Sequence, residues 1–377
     1  MNRRAFLTIA AAAVKAGQAG SPLPGWMSRK WTIDLRCVLP RGESGAFDSK
    51  VAGDPVVVWD EDVRTWRMFY FASSEGDPGT SGALGPLVAG MALSRSEEEI
   101  GPGDWEKAGQ TPLRNPQDLL QGRPGHKWWV VLDPQGNNRA ARIRGRYWAL
   151  FVSTYGVKHV QAASAEKLAG PWTVVPAPIL SPGAAGAPDS KHCDTPTAYW
   201  FESSGQMLIF YKAYPQKAQA GQPGSPFGSS SVIAHWSPGE ATAAKGRQIL
   251  IPGRDRAWNR GWVGGVQLLH DERAGWYALS NGSPTPPEDQ SNREPAPSVG
   301  GWLRCQGSTP EGEWRTDAEV SPFRYPDQLT EPERRAGLGV NFWRHHLLVT
   351  PGGRARIFFN SGKYGTEQMY SLAPQGQ

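Results

Sequence analysis

Cysteine is scarce. Cys37, Cys193 and Cys305 are the only three in 377 residues. They are far apart and form no Cys-x-x-Cys pair, so neither a disulfide framework nor a thiolate zinc site is indicated, although a single bridge is allowed. Long apolar runs are missing too. No stretch approaches the roughly 18 uninterrupted residues of a membrane span. Charge of one sign is also in short supply. The net charge is +5, and Arg3, Arg4 and Lys15 supply three of those five units. What remains forms no basic stripe for a nucleic acid.

Glycine, proline and tryptophan are abundant instead. The chain has 45 Gly, 33 Pro and 17 Trp, with 39% hydrophobic residues. That apolar content is enough for a packed core. Gly and Pro at such density break the chain into turns, which suits many short strands and disfavours long helices. Tryptophan suits packing between sheets, and its flat face also suits stacking against a sugar ring.

The first residues read as an export signal. Asn2-Arg3-Arg4-Ala5-Phe6-Leu7-Thr8 precedes a short apolar run and the small residues before Gly20. A charged start, a short apolar centre and small residues at a cleavage point describe a signal peptide rather than a span. The Arg-Arg-x-Phe-Leu run is similar to the twin-arginine type, which carries folded proteins. Residues 1–19 are therefore expected to direct the protein to the periplasm or the exterior.

A repeat organises the rest. Five hairpins share one texture, a short strand, a turn and a strongly apolar second strand. They span residues 56–73, 128–153, 197–211, 266–280 and 345–361. Their second strands centre on Tyr70, Phe151, Tyr211, Ser280 and Phe359, a recurrence of 60 to 81 residues. A repeat of roughly 70 residues fits a four-stranded blade. Each hairpin is followed by a third strand. Three repeats then continue into a turn and a tryptophan, as Gly103-Asp104-Trp105, Gly170-Pro171-Trp172 and Gly312-Glu313-Trp314. Residues 247–252 take that place in the third repeat. No amphipathic helical stretch separates the runs, which excludes a βα-repeat fold. The expectation is an all-β chain, one five-bladed β-propeller over residues 30–377. The last blade lacks its outer strand, and residues 31–38 are expected to supply it, closing the ring and removing an exposed edge.

Phe47-Asp48-Ser49-Lys50-Val51-Ala52-Gly53-Asp54-Pro55-Val56-Val57, followed by Trp66-Arg67-Met68-Phe69-Tyr70, resembles the opening blade of the five-bladed glycosidases. These are the arabinanase, levansucrase and invertase families numbered 43 and 32. His192-Cys193-Asp194-Thr195-Pro196, opening the third blade, resembles the motif that carries their general acid, with Asp in place of the usual Glu. The resemblance implies Asp54 as base or nucleophile and Asp194 as general acid. Inner strands of a propeller line one channel. Residues just before them converge on its mouth, and glycosidic cleavage needs two carboxyl groups flanking the bond.

Other residues are expected at the same mouth as substrate contacts: Asp48 on the approach loop, Arg123, His126 and Lys127 at the start of blade two, His192, Trp262 as a stacking platform, and Arg344 with His345 on blade five. The related families place a third carboxylate where Lys127 lies. Glu294, in a long Gly/Pro-rich loop, is a reserve candidate for it. Asp133-Pro134 imitates the Asp-Pro motif, but in register it follows the first strand, with Asp60, Glu202 and Asp271, and reads as a turn residue. No cofactor and no metal is implied, although an axial histidine could hold a structural cation. The reading is an exported hydrolase of a furanosyl or small pyranosyl linkage, its partner a carbohydrate. The alternatives are a carbohydrate-binding propeller without turnover and an enzyme acting on an anionic sugar.

Overall fold

Runs that are apolar at successive positions rather than at alternate ones belong to strands buried on both faces. The second strand of the first blade, Thr65–Ser73, is buried at every position. It lies inside a stack of sheets, so neither of its faces meets water. The computed structural model describes residues 25, 27, 29–74, 87–120, 126–152, 157–216, 229–250, 257–259, 261–283, 298–317, 321, 329–363 and 365–376.

Five antiparallel sheets form in chain order. Blade one is Val51–Asp60, Thr65–Ser73, Leu87–Ser94 and Trp105–Gln110. Blade two is His126–Val130, Arg146–Val152, Val160–Ala165 and Thr173–Val174, with Arg142–Ile143 paired at its second strand. Blade three is His192–Phe201, Gln206–Tyr214, Ser230–Trp236 and Ala244–Leu250. Blade four is Trp262–Asp271, Gly275–Ser283, Val299–Cys305 and Trp314–Thr316. Blade five is Trp343–Val349, Ala355–Ser361 and Gln368–Pro374. Its outer strand comes from the other end of the chain. Trp31–Ile33 pairs antiparallel with it, Trp31 opposite Pro374 and Ile33 opposite Leu372. The closing strand is shorter than the 31–38 expected, and a separate bridge joins Leu39 to Met369. The α-helix among the described residues is one turn, Glu331–Arg335, with Thr330 and Glu333 capping each other. No described helix is long and apolar enough to cross a membrane.

Tryptophan holds the blades together. Trp128 stacks on Phe151 at 5.1 Å and lies 6.2 Å from Phe69 of blade one. The outer-strand Trp105, Trp172 and Trp314 repeat one device. Each ring nitrogen donates to a carbonyl four or five residues earlier, in Ile100, Leu168 and Pro310. This satisfies the one polar atom that burying an indole would otherwise strand.

The axis is laced by bonds between neighbouring inner strands. Trp129 Nε1 donates to Ala198 O at 3.1 Å, Thr197 Oγ1 to Val266 O at 2.6 Å and Gln267 Nε2 to Leu347 O at 2.9 Å. His346 Nε2 lies 3.0 Å from Val57 O, and Trp59 N donates at 3.0 Å to Asn138 O, in the loop that follows the inner strand of blade two, which completes the circuit. The channel is therefore filled at mid-height.

Candidate active site

Every inner strand carries a β-bulge near its start. Pairing shifts between Gly53 and Val56, His126 and Trp129, Asp194 and Thr197, Val263 and Val266, and Trp343 and His346. A bulge inserts a residue, bends the strand and re-aims a side chain. The first inserted residues are Asp54, Lys127, Thr195, Gly264 and Arg344. Of these, Asp54, Lys127, Thr195 and Arg344 have φ values of 53°, 58°, 45° and 30°. Four of the eight non-glycine residues at positive φ among those described thus occupy one ring around the axis. Such strain concentrates where side-chain placement matters more than backbone comfort.

Two carboxylates are buried there. Asp54 is 1% exposed and takes Lys127 Nζ on Oδ2 at 2.8 Å. Its backbone N–H donates to Asn360 Oδ1 at 3.3 Å. Gly53 lets that amide approach, since a Cβ there would meet Asn360 at 2.9 Å. Asp194 takes Lys158 Nζ on Oδ2 at 2.6 Å and the Thr195 N–H on Oδ1 at 2.7 Å. Both ammonium groups come from blade two, which sits between the two acid-bearing blades. His192 supports the second pair. Its Nδ1 accepts the Lys158 N–H at 3.2 Å, and burial, followed by the Lys158 charge, lowers its pKa to about 4. The ring is neutral at pH 7.

Arg344 crosses the channel between them. It starts on blade five, passes over the Trp129 ring at 5.2 Å and donates from Nη2 to Pro196 O at 3.1 Å. It is 4% exposed. Burial lowers its pKa, and the charges of Asp54 and Asp194 oppose that change. Both carboxylates therefore lie within electrostatic reach of one guanidinium.

The structure thus gathers Asp54, Lys127, Asp194 and Arg344 at one mouth, with His192 beside them. Asp48 and His345 lie elsewhere, and Trp262 is covered. Asp48 sits beneath its own loop, 1% exposed, holding Lys107 Nζ at 2.6 Å and the Tyr70 hydroxyl at 2.9 Å. His345 points away to Leu279 O at 2.8 Å in blade four, stacked on Phe342, and burial lowers its pKa to about 3. Trp262 begins the inner strand of blade four, but Lys212 Nζ covers its ring at 4.2 Å. Arg123 and Glu294 lie outside the described residues, as does the side chain of His126, whose backbone opens the inner strand of blade two.

The anchor of these loops was not anticipated. In blade three Asp189 repeats the environment of Asp48, holding Lys245 Nζ at 2.6 Å and the Tyr211 hydroxyl at 2.9 Å. Both lysines belong to outer strands and both tyrosines to second strands. The sequence carries a signal for it. Residues 42–50 and 183–191 share the pattern Gly-x-x-Gly-Ala-x-Asp-Ser-Lys, and a proline follows each at the same distance, Pro55 and Pro196. The second glycine of each, Gly45 and Gly186, sits at φ 90° and 89°, which needs a residue without Cβ. Lys158 has no such signal, because it approaches Asp194 from a neighbouring blade.

The opposite mouth holds a cavity of about 220 Å3 lined by Met27, Leu132, Asp133, Tyr199, Leu268, Asp271 and Leu347. Its two carboxylates are committed to turns. Asp133 Oδ1 accepts the Gln135 N–H, and Asp271 Oδ1 accepts those of Arg273 and Ala274. The described residues hold no group of three or more His, Cys, Asp or Glu that could share a metal ion.

No protein-family model matches the chain, and no curated protein matches it. Solved structures do. BT0996, solved as an RGII complex, superposes with a TM-score of 0.68 at 13% identity, covering 93% of this chain and 94% of that one. A thermostable family-43 glycoside hydrolase gives 0.57 at 15% identity over 90% and 91%. The catalytic domain of a GH62 α-L-arabinofuranosidase from Coprinopsis cinerea gives 0.58 at 11% identity over 93% and 98%. At these identities the likeness is one of fold, the five-bladed propeller that such glycosidases share.

Proposed function

We propose that the protein is a glycoside hydrolase acting on a furanosyl or small pyranosyl linkage, with its catalytic groups at the bulge-lined mouth. The observation that carries this reading is the placement of Asp54 and Asp194. They are buried carboxylates on blades one and three, near equivalent bulges, and one arginine senses both. The solved propellers named above include an arabinofuranosidase, which supports the substrate class.

Asp54 accepts a proton from water or attacks the anomeric carbon, and Lys127 holds its oxygen in place meanwhile. Asp194 protonates the departing oxygen. Lys158 and the Thr195 N–H contact the carboxylate of Asp194, so it first takes a proton from solvent or from the Lys158 ammonium, passes it to the leaving oxygen, and ends as the carboxylate again. Replacing Asp54 or Asp194 by Asn is expected to lower turnover of a cleaved glycoside by about 10² or more, the scale of acid–base groups. Initial rates of each variant decide it, and wild-type turnover in either one removes the assignment. A second reading, sugar binding without turnover, is favoured by the ion pairs that occupy both carboxylates. Calorimetric binding of glycans that the wild type never cleaves would establish it.

Residues 1–19 are taken to deliver the folded protein across a membrane. Arg3→Lys with Arg4→Lys should leave it in the cytoplasmic fraction on cell fractionation, and unchanged export would exclude the twin-arginine route.

A further inference from the structure

Among the described residues the charge at the mouth does not balance. The two carboxylates face Lys127, Lys158 and Arg344, and a fourth cation stands next to them. Lys212 lies opposite Asp194 in the strand register and reaches over the rings of Trp262 and Tyr214 at 4.2 and 5.0 Å. Among the described residues Lys212 has no carboxylate within ion-pair distance, whereas Lys127 and Lys158 each have one. His192 is neutral at pH 7, because burial has lowered its pKa to about 4, so it does not alter the count.

Arg344 is the more telling member. Its Nε and Nη1 are buried without a hydrogen-bond partner among the described residues, while Nη2 alone is satisfied by Pro196 O. A guanidinium taken out of water with two unused nitrogens is costly unless something negative completes it. Asp54 and Asp194 are within electrostatic range, yet each already holds a lysine. At the blade-four bulge Gly264 and Gly265 contribute backbone only, and a Cβ at Gly265 would stand 4.0 Å from Arg344 Cδ. The fork of a guanidinium fits the paired oxygens of a carboxylate or phosphate.

We propose that this mouth contains an anion subsite, formed by Arg344 and Lys212 beside the two carboxylates, which takes a sugar bearing an anionic oxygen group. The chemical class is a uronate, or an inorganic phosphate bound beside a neutral sugar. This rests on the glycosidase reading for its location but not for its truth, because an anion subsite binds whether or not a bond is cleaved.

The experiment uses the full folded chain and calorimetry. The probes are glucuronosyl and galacturonosyl disaccharides, each beside its carboxyl-reduced neutral counterpart, and orthophosphate with and without the neutral sugar. A uronosyl disaccharide should bind at least about tenfold more tightly than its reduced partner, the effect of one well-made charged contact. Lys212→Met should cut that preference severalfold. Lys212 is only partly buried, so this variant keeps the test sound if Arg344→Lys fails to fold. Binding of orthophosphate with neutral sugar, in place of uronate preference, sustains the subsite and assigns the anion to the second reactant. Equal affinity for charged and neutral sugars with no phosphate binding overturns the proposal, as does a preference that Lys212→Met leaves intact. Cleavage of neutral glycosides without any anion effect ends the subsite but leaves the hydrolase. Uronate binding without cleavage does the reverse.

Discussion

Blades one and three are built alike up to the last step, and they differ where chemistry would occur. Each is approached by a loop anchored through a buried aspartate to a lysine on the outer strand and a tyrosine on the second strand. Each then enters its inner strand through a bulge that ends in proline. Blade one places its acid at the bulge itself, Asp54, on strained backbone. Blade three places Asp194 one residue earlier and puts Thr195 at the strained position. One framework therefore presents two carboxylates at different angles to a common point. The shared part fixes where the loops stand, and the unshared part sets what each acid can face. Blade two stands between them and supplies a lysine to each, which ties the two sites to one support.

If the anchors are equivalent, removing them should cost alike, and this is the largest effect expected. Asp48→Ala strands Lys107 and the Tyr70 hydroxyl, and Asp189→Ala does the same to Lys245 and Tyr211. Breaking a buried pair costs about 3–5 kcal/mol, and because these lysines are 28% and 32% exposed we expect about 2–3 kcal/mol for each. Burial, then the neighbouring aspartate, raises the pKa of both tyrosine hydroxyls, so they remain donors throughout the accessible pH range. Urea unfolding of the two variants measures the comparison. A cost confined to one of them would show that the shared pattern is not a shared anchor.

Much of this frame was legible in the chain. Strands buried on both faces read as unbroken apolar runs such as residues 68–72, so their recurrence disclosed five blades. The closing strand was legible because a blade lacking a fourth strand leaves an edge that some other segment must cover. The place of Lys127 as the blade-two counterpart of Asp54 followed from repeat register, whereas the bulge there did not. What stayed hidden depends on neighbours that lie far away in sequence. Nothing local to Lys158 points to Asp194, 36 residues away. Of the adjacent Arg344, His345 and His346, alternation and the bulge send only the first across the mouth. The histidines turn to the carbonyls of Leu279 and Val57 in the blades on either side. The repeated Gly-x-x-Gly-Ala-x-Asp-Ser-Lys pattern was open to inspection and would have marked Asp48 as an anchor.

The smallest effect tests the difference between the loops rather than their likeness. Blade three carries His192 where blade one, at the same point of the shared pattern, carries Val51. The neutral ring of His192 accepts the Lys158 N–H, and a protonated ring cannot. Its pKa is about 4 in the folded chain against 6.5 ordinarily, so below pH 6.5 the unfolded chain binds the extra proton first. Stability rises with pH wherever the unfolded state binds more protons than the folded one. The contribution of His192 is therefore fully present above about pH 6.5 and is lost as pH falls toward 4. The ring is only half-buried, so about 1 kcal/mol is the expected size after solvent screening. His345 and His346, whose pKa values are lowered further, to about 3, add an acid sensitivity common to the whole ring. The informative quantity is thus the difference between wild type and His192→Val, which makes blade three resemble blade one. That difference should change sign or shrink between pH 7 and pH 4.5. Amide protection factors, taken relative to the intrinsic exchange rate at each pH, should fall at residues 191–194 over the same window in the wild type while those of residues 50–54 hold. If the two segments lose protection together, the acid response belongs to the ring, and His192 does not distinguish the loops.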